Sequence, residues 1–464
     1  MNLKKLPKFA LMSLIGLSCF TMSACNKDDR VEVIFWHTMG QANQEKLNAM
    51  IEAFEAENPN IHVTHAQQGG YTDIEAKLLK AIPAKTTPTM AFCYPDHVAN
   101  YIDAKAAVKL NSYVDAMSAE ELQDYKDAGF WDEGASYDSE GSIYSVPFSK
   151  STEVLFVNAS WLKSNGFTDD GTITGNPLIP TKWENNEDPN DLTAMFNLCR
   201  AIKKKHPTIT PFGYDSDDNM YITLSAQYGI PYTSIDAEGN GSIDFDNQQA
   251  KDLVTRLKGY YDEGLFVTKG VLPNNSYTST KFTKEELIFS VGSTGGTSYN
   301  IPAIDSDGNY AFDVQVAPIP QYDANNPKVI SQGPSITFFQ NSKISQEQMD
   351  ASWKFYRFIT NSNNSAAYAI FTGYEPVCES AYTSSAYVAH LAKLGTEKED
   401  LFTKVANLTV KDTIKNAYFF SPVFVGSSTA RQECGGIITQ VLLDNKTVDK
   451  AFKDAKTNTI FAME

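Results

Sequence analysis

The chain has 464 residues, of which 42% are hydrophobic, and its formal net charge at pH 7 is −17. This length and composition support large buried cores in two or more lobes, and they exclude a disordered or fibrous protein. The acidic excess argues against a nucleic-acid partner, and it requires that any bound anion be held by local donors.

The N-terminal segment has the pattern of an export signal. Three lysines among the first eight residues precede a largely apolar run from Phe9 to Ala24, and Cys25 follows. This run is shorter than the roughly 20 residues that a membrane-spanning helix needs, so we expect cleavage. The motif MSAC, which ends at Cys25, is typical of bacterial lipoproteins and predicts a signal peptide over residues 1–24 with lipidation of Cys25. The alternative is a plain secreted protein with an incidental cysteine.

The first part of the mature chain alternates between strand and helix patterns. In chain order, the predicted elements are a strand at 31–35, a helix at 47–54 ended by Asn58-Pro59, a strand at 61–64, a helix at 73–81 and a strand at 89–94. Such alternation predicts a parallel sheet covered by helices, and the fold class is α/β.

The same alternation returns later in the chain and predicts a second α/β lobe. Strands are predicted at 154–158 and 287–291, and a helix through Leu253 to Tyr261 ends at Gly264. The proline-stiffened segment 144–148 is a candidate crossing between the lobes. The polar segment 168–191 is predicted to be a surface loop carrying one exposed aromatic residue, Trp183.

The sequence contains no motif that would support an enzyme. It has no nucleophile elbow, no metalloprotease motif and no phosphate-binding or dinucleotide-binding glycine motif, and no cofactor is predicted. Paired carboxylates of a glycosidase stay open, because only geometry would distinguish them from chance pairs. The four cysteines of the mature chain beyond Cys25 are widely spaced, which disfavours a zinc site and leaves their pairing undecided.

Three polar loops suit a binding cleft better. They are Gly292–Gly296, Ser331–Ser335 and Thr372–Pro376, and each can bring backbone N–H groups close to a ligand oxygen. Arg431 precedes the apolar pattern of a helix and could form a fork of hydrogen bonds to a carboxylate or phosphate. A surface arginine is the equally weighted alternative.

Five separated stretches share a family resemblance. They are Phe35–Met39 (FWHTM) with Phe54–Pro59 (FEAENP), Pro147–Asn158 (PFSKSTEVLFVN), Phe289–Gly296, Ser331–Ser335 and Thr372–Pro376 (TGYEP). They resemble the family 1 extracellular solute-binding proteins of ABC importers, and most closely the glycerol-3-phosphate binders among them. The resemblance implies two α/β lobes that close on a ligand by hinge motion.

The resemblance also implies a set of ligand-binding residues. Matched position by position, they are Tyr71, Asp96, Ser151, Trp183, Ser293, Gly333, Tyr374 and Arg431. In the family pattern the arginine anchors a phosphate, the acidic residue holds glycerol hydroxyls and the tryptophan closes over the ligand. Two departures stand out: the relatives carry glutamate where this chain has Asp96, and the loop around Trp183 is longer here.

The implied organisation is a signal peptide at 1–24, a first lobe at 25–146 and 332–374, and a second lobe at 147–331 and 375–464. The expected ligand is glycerol-3-phosphate or a glycerophosphodiester, with a neutral mono- or oligosaccharide as the alternative. A structural lipoprotein without transport function is a further class. The expected partners are ABC permease subunits and a lipid anchor, on a monomer located in the periplasm or otherwise outside the cytoplasm.

Overall fold

A computed structural model describes residues 29–138, 140–236, 239–444 and 446–464, so Cys25 and the signal segment lie outside the described residues. The strands are β1 (Val31–His37), β2 (Ile61–Gln67), β3 (Met90–Cys93), β4 (Ser145–Pro147), β5 (Glu153–Asn158), β6 (Phe212–Tyr214), β7 (Thr233–Ile235), β8 (Gly241–Ile243), β9 (Phe266–Thr268), β10 (Phe289–Ser293), β11 (Val314–Pro318), β12 (Val329–Ile330), β13 (Ser335–Phe338) and β14 (Tyr418–Phe419).

The α-helices are α1 (Gln41–Glu57), α2 (Tyr71–Ala84), α3 (Pro95–Asp103), α4 (Asn111–Asp115), α5 (Ala119–Asp127), α6 (Ala159–Ser164), α7 (Met195–Lys205), α8 (Asp217–Tyr228), α9 (Gln248–Asp262), α10 (Thr278–Phe282), α11 (Gln346–Ile359), α12 (Ser362–Thr372), α13 (Glu379–Tyr382), α14 (Ser385–Leu391), α15 (Leu401–Thr409), α16 (Asp412–Lys415), α17 (Ser427–Leu442) and α18 (Val448–Met463). None of the described helices is both long and apolar enough to span a membrane.

The first lobe is built on a five-stranded sheet in the order β2-β1-β3-β13-β4. Helix α1 buries Leu47, Met50, Ile51 and Phe54, and the Phe54 ring meets Phe355 of α11 edge to face at 5.1 Å. Strand β1 runs parallel to β2 and β3, whereas β13 is antiparallel to β3 and β4. The predicted strand and helix alternation is confirmed, with bounds that differ by a few residues.

The second lobe contains a sheet in the order β11-β5-β10-β6-β9. Strands β10, β6 and β9 are parallel, and β5 is antiparallel to β10 and β11. The parallel sheet predicted for the first lobe is therefore a mixed sheet, and the sheet of the second lobe is mixed as well. Parallel neighbours need a crossover connection, and β5 and β13 instead enter their sheets directly from the other lobe.

Two chain segments cross between the lobes, at residues 148–152 and 331–334, and the chain at 373–376 pairs with the first of them. Ser151 and Gln332 exchange two backbone hydrogen bonds of 2.8 and 2.9 Å, and Lys150 and Glu375 exchange two of 3.3 and 2.6 Å. Gly333 has a φ of +95°, and a Cβ atom there would lie 2.5 Å from the Ser149 carbonyl oxygen. Only glycine fits this close approach, which joins the crossings into one hinge.

A buried ion pair lies within the hinge. The Lys150 ammonium donates hydrogen bonds to the Glu133 carboxylate and, at 3.2 Å, to the Gly333 carbonyl oxygen. Lys150 is 0% exposed and Glu133 is 5% exposed. Burial raises the pKa of Glu133, and the neighbouring Lys150 opposes this rise. The pair therefore connects the first crossing, the second crossing and the first lobe.

The chain after residue 376 is shared between the lobes. Val377, Cys378, Ala381 and Tyr382 lie in the core of the first lobe, although residues 375–464 were predicted to belong to the second. Helix α17 packs in the core of the second lobe through its predicted apolar face. We therefore propose that the second lobe resumes after α14.

Trp183 does not occupy the exposed position that the sequence analysis predicts. It is 2% exposed, and its indole N–H donates a 2.7 Å hydrogen bond to Gln227. Its ring neighbours are Phe196, Phe212 and Tyr214, which belong to the core of the second lobe. The prediction of an exposed aromatic residue is wrong because these distant residues supply an apolar slot with a hydrogen-bond acceptor for the indole.

The four cysteines of the described chain are buried free thiols: Cys93, Cys199, Cys378 and Cys434. Burial raises the pKa of each thiol, to about 12 for Cys93 and about 11 for Cys378. The thiols therefore stay protonated and unreactive at neutral pH.

Candidate functional site

The candidate site lies between the lobes, where several strands end. Tyr71 begins α2 after β2, Asp96 lies in the first turn of α3 after β3, and Asn219 lies in the first turn of α8 after β6. Ser293 ends β10. The carboxyl ends of parallel strands are where α/β folds place their ligands, and a short strand followed by a polar helix start delivers these side chains there.

A chain of contacts runs around this space from Tyr71 to Tyr374, and we call its members the cleft ring. Its members are Tyr71, Tyr94, Ser151, Asn219, Ser293, Gly295, Gln332, Tyr374 and Arg431. In the second lobe and the hinge, Asn219 donates to Gln332 at 2.7 Å, and Ser293 donates to Ser151 at 3.3 Å.

Three tyrosine side chains form the other side of the cleft ring. Tyr71 stacks on Tyr94 with ring centres 3.8 Å apart, and the Arg431 guanidinium lies 5.9 Å from the Tyr94 ring centre. Tyr374 packs on Gly295, where a Cβ atom would come within 2.4 Å of its ring. Burial raises the pKa of Tyr71 and Tyr94, and it raises the pKa of Tyr374 to about 12, so all three hydroxyls stay protonated.

Arg431 connects the two lobes. Its Nε donates to Asp96 of the first lobe at 2.9 Å, and its terminal nitrogen donates to Asn219 at 2.7 Å and Asp218 at 3.2 Å. Burial opposes the charge on Arg431, but Asp96 and Asp218 raise its pKa above the usual value. A second interlobe bond joins Ser427 to the Asp96 carbonyl oxygen at 3.3 Å. The guanidinium is thus permanently charged and flanked by two carboxylates.

A small void of about 30 Å³ lies beside Arg431. Tyr94, Asp96, Gln332 and Ser421 contribute to its lining. The Asp96 Oδ1 atom and the Ser421 hydroxyl are buried and have no hydrogen-bond partner among the described residues. Buried polar atoms without partners are costly, so this void provides places for the polar groups of a ligand or for ordered water.

The structure brings seven of the eight predicted site residues together. Five lie on the cleft ring, Asp96 bonds Arg431, and Gly333 adjoins Gln332. Trp183 lies instead in the core of the second lobe. That these seven residues contact a ligand stays a prediction.

The sequence analysis missed Tyr94, Asp218 and Asn219. Tyr94 follows β3 directly, and the polar run from Asp215 to Asn219 follows β6. The change from an apolar strand to a polar helix start was the available signal for these residues. In the described part of the chain, no group of three or more His, Cys, Asp or Glu side chains is arranged to hold a metal ion.

Comparison with known proteins decides the family. The family model for the bacterial extracellular solute-binding proteins matches residues 49–394. The chain belongs to this family. It is therefore a solute-binding protein of an ABC importer that binds a small molecule outside the cytoplasm, and it is not an enzyme.

Three relatives of this solute-binding protein are informative. The sn-glycerol-3-phosphate-binding periplasmic protein UgpB of Escherichia coli (strain K12) is 22% identical over 362 residues, which cover 75% of this chain and 74% of the relative. The structure of UgpB from Mycobacterium tuberculosis with glycerophosphocholine has a TM-score of 0.69 and 18% identity, covering 93% and 98% of the two chains. The structure of the GacH receptor of Streptomyces glaucescens, solved unliganded and with acarbose, has a TM-score of 0.69 and 16% identity, and the match covers 93% of this chain and 98% of the receptor. The two structures establish the two-lobed fold and leave the ligand open.

Proposed function

We propose that this solute-binding protein captures a glycerophosphodiester or glycerol-3-phosphate between its lobes and delivers it to an ABC permease. The observation that carries this proposal is the pairing of Arg431 with Asp96 at the interlobe void. A glycerol phosphate has an anionic end that suits a guanidinium and hydroxyl groups that suit a carboxylate. The Asp96 Oδ1 atom has no hydrogen-bond partner among the described residues, which leaves one acceptor for such a hydroxyl.

Each residue has a role in this proposal. Arg431 binds the phosphate, Ser151 and Ser293 are further hydroxyl donors, and Asp96 accepts hydrogen bonds from the glycerol hydroxyls. Tyr71 and Tyr374 contact the carbon faces of the glycerol. Gly333 permits the close packing of the crossings on which Ser151 is placed.

Ligand binding then drives lobe closure. The void of about 30 Å³ has room for about two water molecules and is too small for a glycerol phosphate. The lobes must therefore open to admit the ligand, and Arg431 and Asp96 must exchange part of their mutual contact for contacts with it. Because the ligand touches both lobes only in the closed state, its binding shifts the equilibrium toward that state.

The charge of the site favours a diester over a monoester. One guanidinium stands between the carboxylates of Asp96 and Asp218, so the immediate surroundings carry a net negative charge. A phosphodiester brings one negative charge, whereas a phosphate monoester above its second pKa, near 6, brings almost two. The single guanidinium can balance the one charge of a diester better than the second charge of a monoester.

A neutral mono- or oligosaccharide is the second candidate. The observation that favours it is the tyrosine lining of the cleft ring together with two carboxylates, since aromatic faces and carboxylates suit the C–H faces and hydroxyls of sugars. In that case Arg431 would serve mainly to orient Asp96 and Asp218.

Calorimetric titration of the mature protein with three ligands tests the proposal. At pH 7.5 we expect glycerophosphocholine to bind roughly tenfold more tightly than glycerol-3-phosphate, and maltose to bind weakly or not at all. At pH 5.5 the difference between the two phosphates should narrow, because the monoester then carries close to one charge. Tight maltose binding without phosphate binding would establish the sugar candidate instead.

We also propose that Cys25 carries a lipid anchor, which would hold the protein near its permease as a monomer. Replacing Cys25 with alanine is expected to move the exported protein from the membrane fraction to the soluble fraction. The matched control is Cys19→Ala, which removes the other cysteine of the N-terminal segment and should leave the protein membrane-bound. Retention of the Cys25→Ala protein in the membrane fraction would argue against lipidation at this position.

A further inference from the structure

A second, larger cavity adjoins the cleft ring at Gly295. Its volume is about 680 Å³, within the range of small-molecule sites, whereas the void beside Arg431 is about 30 Å³. Gly295, which packs against the Tyr374 ring, lines this cavity. Thr372 also lines it, and its hydroxyl accepts a 3.3 Å hydrogen bond from the Tyr374 N–H. Tyr374 and Gly295, both members of the cleft ring, are therefore where this cavity adjoins the ring.

The cavity is formed by both lobes. The first turns of α1 contribute Gln41, Asn43 and Lys46 from the first lobe, and the 3₁₀ segment Thr294–Asn300 contributes Tyr299 from the second. A Cβ atom on Gly40 would lie 3.8 Å from the Tyr299 hydroxyl, so the two lobes approach each other at its rim. A molecule in this cavity would be held by both lobes, as a cleft ligand must be.

The lining selects a chemical class. Two aromatic side chains present open faces, since Tyr299 is 68% exposed and Phe371 is 43% exposed. The amides of Gln41 and Asn43 are hydrogen-bonding groups near these faces. Among the described residues that line the cavity, only Lys46 is charged, and its ammonium lies 5.9 Å from the Phe371 ring centre. Aromatic faces with amide groups suit a polyhydroxylated ring, and the lone lysine disfavours a cationic group.

We propose that this cavity is a second subsite, which takes a polyhydroxylated ring attached to the part of the ligand bound in the cleft ring. The inference rests on the proposed function in one respect, namely that the ring would be the headgroup of a phosphodiester. The same chemistry could come from the inositol of glycerophosphoinositol or from a hexose of an oligosaccharide. Tyr299 and Phe371 contact the faces of the ring, and Gln41, Asn43 and Lys46 bind its hydroxyls.

Titrations with glycerophosphoinositol, glycerophosphocholine and maltose test this subsite. The two phosphodiesters carry the same charge on phosphorus, so their difference in affinity reports the headgroup. We expect glycerophosphoinositol to bind roughly tenfold more tightly than glycerophosphocholine. In Tyr299→Ala this advantage should fall to about twofold or less, whereas Tyr322→Ala should retain it. Tyr322 is a matched control because it is also exposed, at 59%, and its ring packs against Tyr228 in the second lobe with ring centres 4.3 Å apart.

The outcomes separate the subsite from the proposed function. Equal affinities for the two phosphodiesters would overturn the subsite and leave the proposed function intact. If neither phosphodiester binds, the proposed function fails, and the titrations with maltose alone then test the subsite. Maltose binding that is weakened at least tenfold by Tyr299→Ala and unchanged by Tyr322→Ala would then support the subsite with a sugar as its source. Maltose binding that Tyr299→Ala leaves unchanged, or no maltose binding, would overturn it.

Discussion

Replacing Lys150 with methionine is expected to lower the free energy of unfolding by about 3–5 kcal/mol, as measured by urea denaturation. Methionine is similar in length, so the main loss is the positive charge beside Glu133. Glu133 is 5% exposed and would keep a buried carboxylate without a countercharge. The Gly333 carbonyl oxygen would also lose its hydrogen bond from Lys150.

The matched control is Lys109→Met. Lys109 pairs with Glu140 at 3.5 Å, but both side chains are exposed, and such pairs contribute less than about 1 kcal/mol. The double variant Lys150→Met with Glu133→Gln should recover part of the loss, because it removes the stranded charge. Equal destabilisation by Lys150→Met and Lys109→Met would show that the buried pair contributes no more to the free energy of unfolding than the exposed pair.

The pH dependence of the Lys150→Met variant has a definite sign. Burial already raises the pKa of Glu133 in the folded protein, and loss of Lys150 raises it further. A carboxyl group whose pKa is higher in the folded state than in the unfolded state binds more protons when folded, so acid stabilises the fold. The stability deficit of the variant should therefore be largest at neutral pH and should shrink as the pH falls toward the ordinary value near 4.5.

Replacing Arg431 with glutamine is expected to weaken the binding of a glycerophosphodiester by roughly 100-fold or more, as measured by calorimetric titration. The change removes the phosphate anchor and leaves Asp96 and Asp218 without the cation between them. It also removes an interlobe bond of 2.9 Å, which lowers the population of the closed state. Arg431→Lys should recover only part of the affinity, because an ammonium cannot form the same fork of hydrogen bonds.

Arg200→Gln is the control for this second prediction. Arg200 belongs to the same lobe and makes two hydrogen bonds to Glu263, at 2.6 and 2.7 Å, but it is surface-exposed. We expect unchanged affinity in this variant. A sugar that binds tightly to both the wild type and Arg431→Gln would reject the phosphate anchor and favour the saccharide candidate.

The lobes could be predicted from the sequence because hydrophobic periodicity reports which face of each element is buried. The helix through Leu253 and Leu257 and the strands around Phe35 and Phe289 are examples. Strand direction could not be predicted in the same way. All residues of strand β5 are buried, so its hydrophobic pattern is the same as that of a buried parallel strand. Its antiparallel direction depends on the crossing that precedes it.

The candidate site was partly predictable, for a different reason. Asp96 lies in the first helical turn after β3, and Ser293 is the last residue of β10. At such strand ends, the local sequence indicates the position in the fold. Trp183 shows the limit of this reasoning. Its polar neighbours in sequence suggest exposure, but its burial is decided by Gln227 and Phe212, which lie far along the chain. The partners of Arg431 likewise come from two distant segments, around Asp96 and around Asp218.

The four buried thiols make this protein a convenient subject for fluorescence labelling. With their pKa values raised and their sulfur atoms enclosed, they react slowly with maleimide dyes, which attack exposed thiolates. A donor and an acceptor dye can therefore be attached to cysteines introduced at two exposed positions, such as Glu52 on α1 and Asp252 on α9, without removing these four cysteines. Energy transfer between the dyes would then follow each opening and closing of a single molecule in real time.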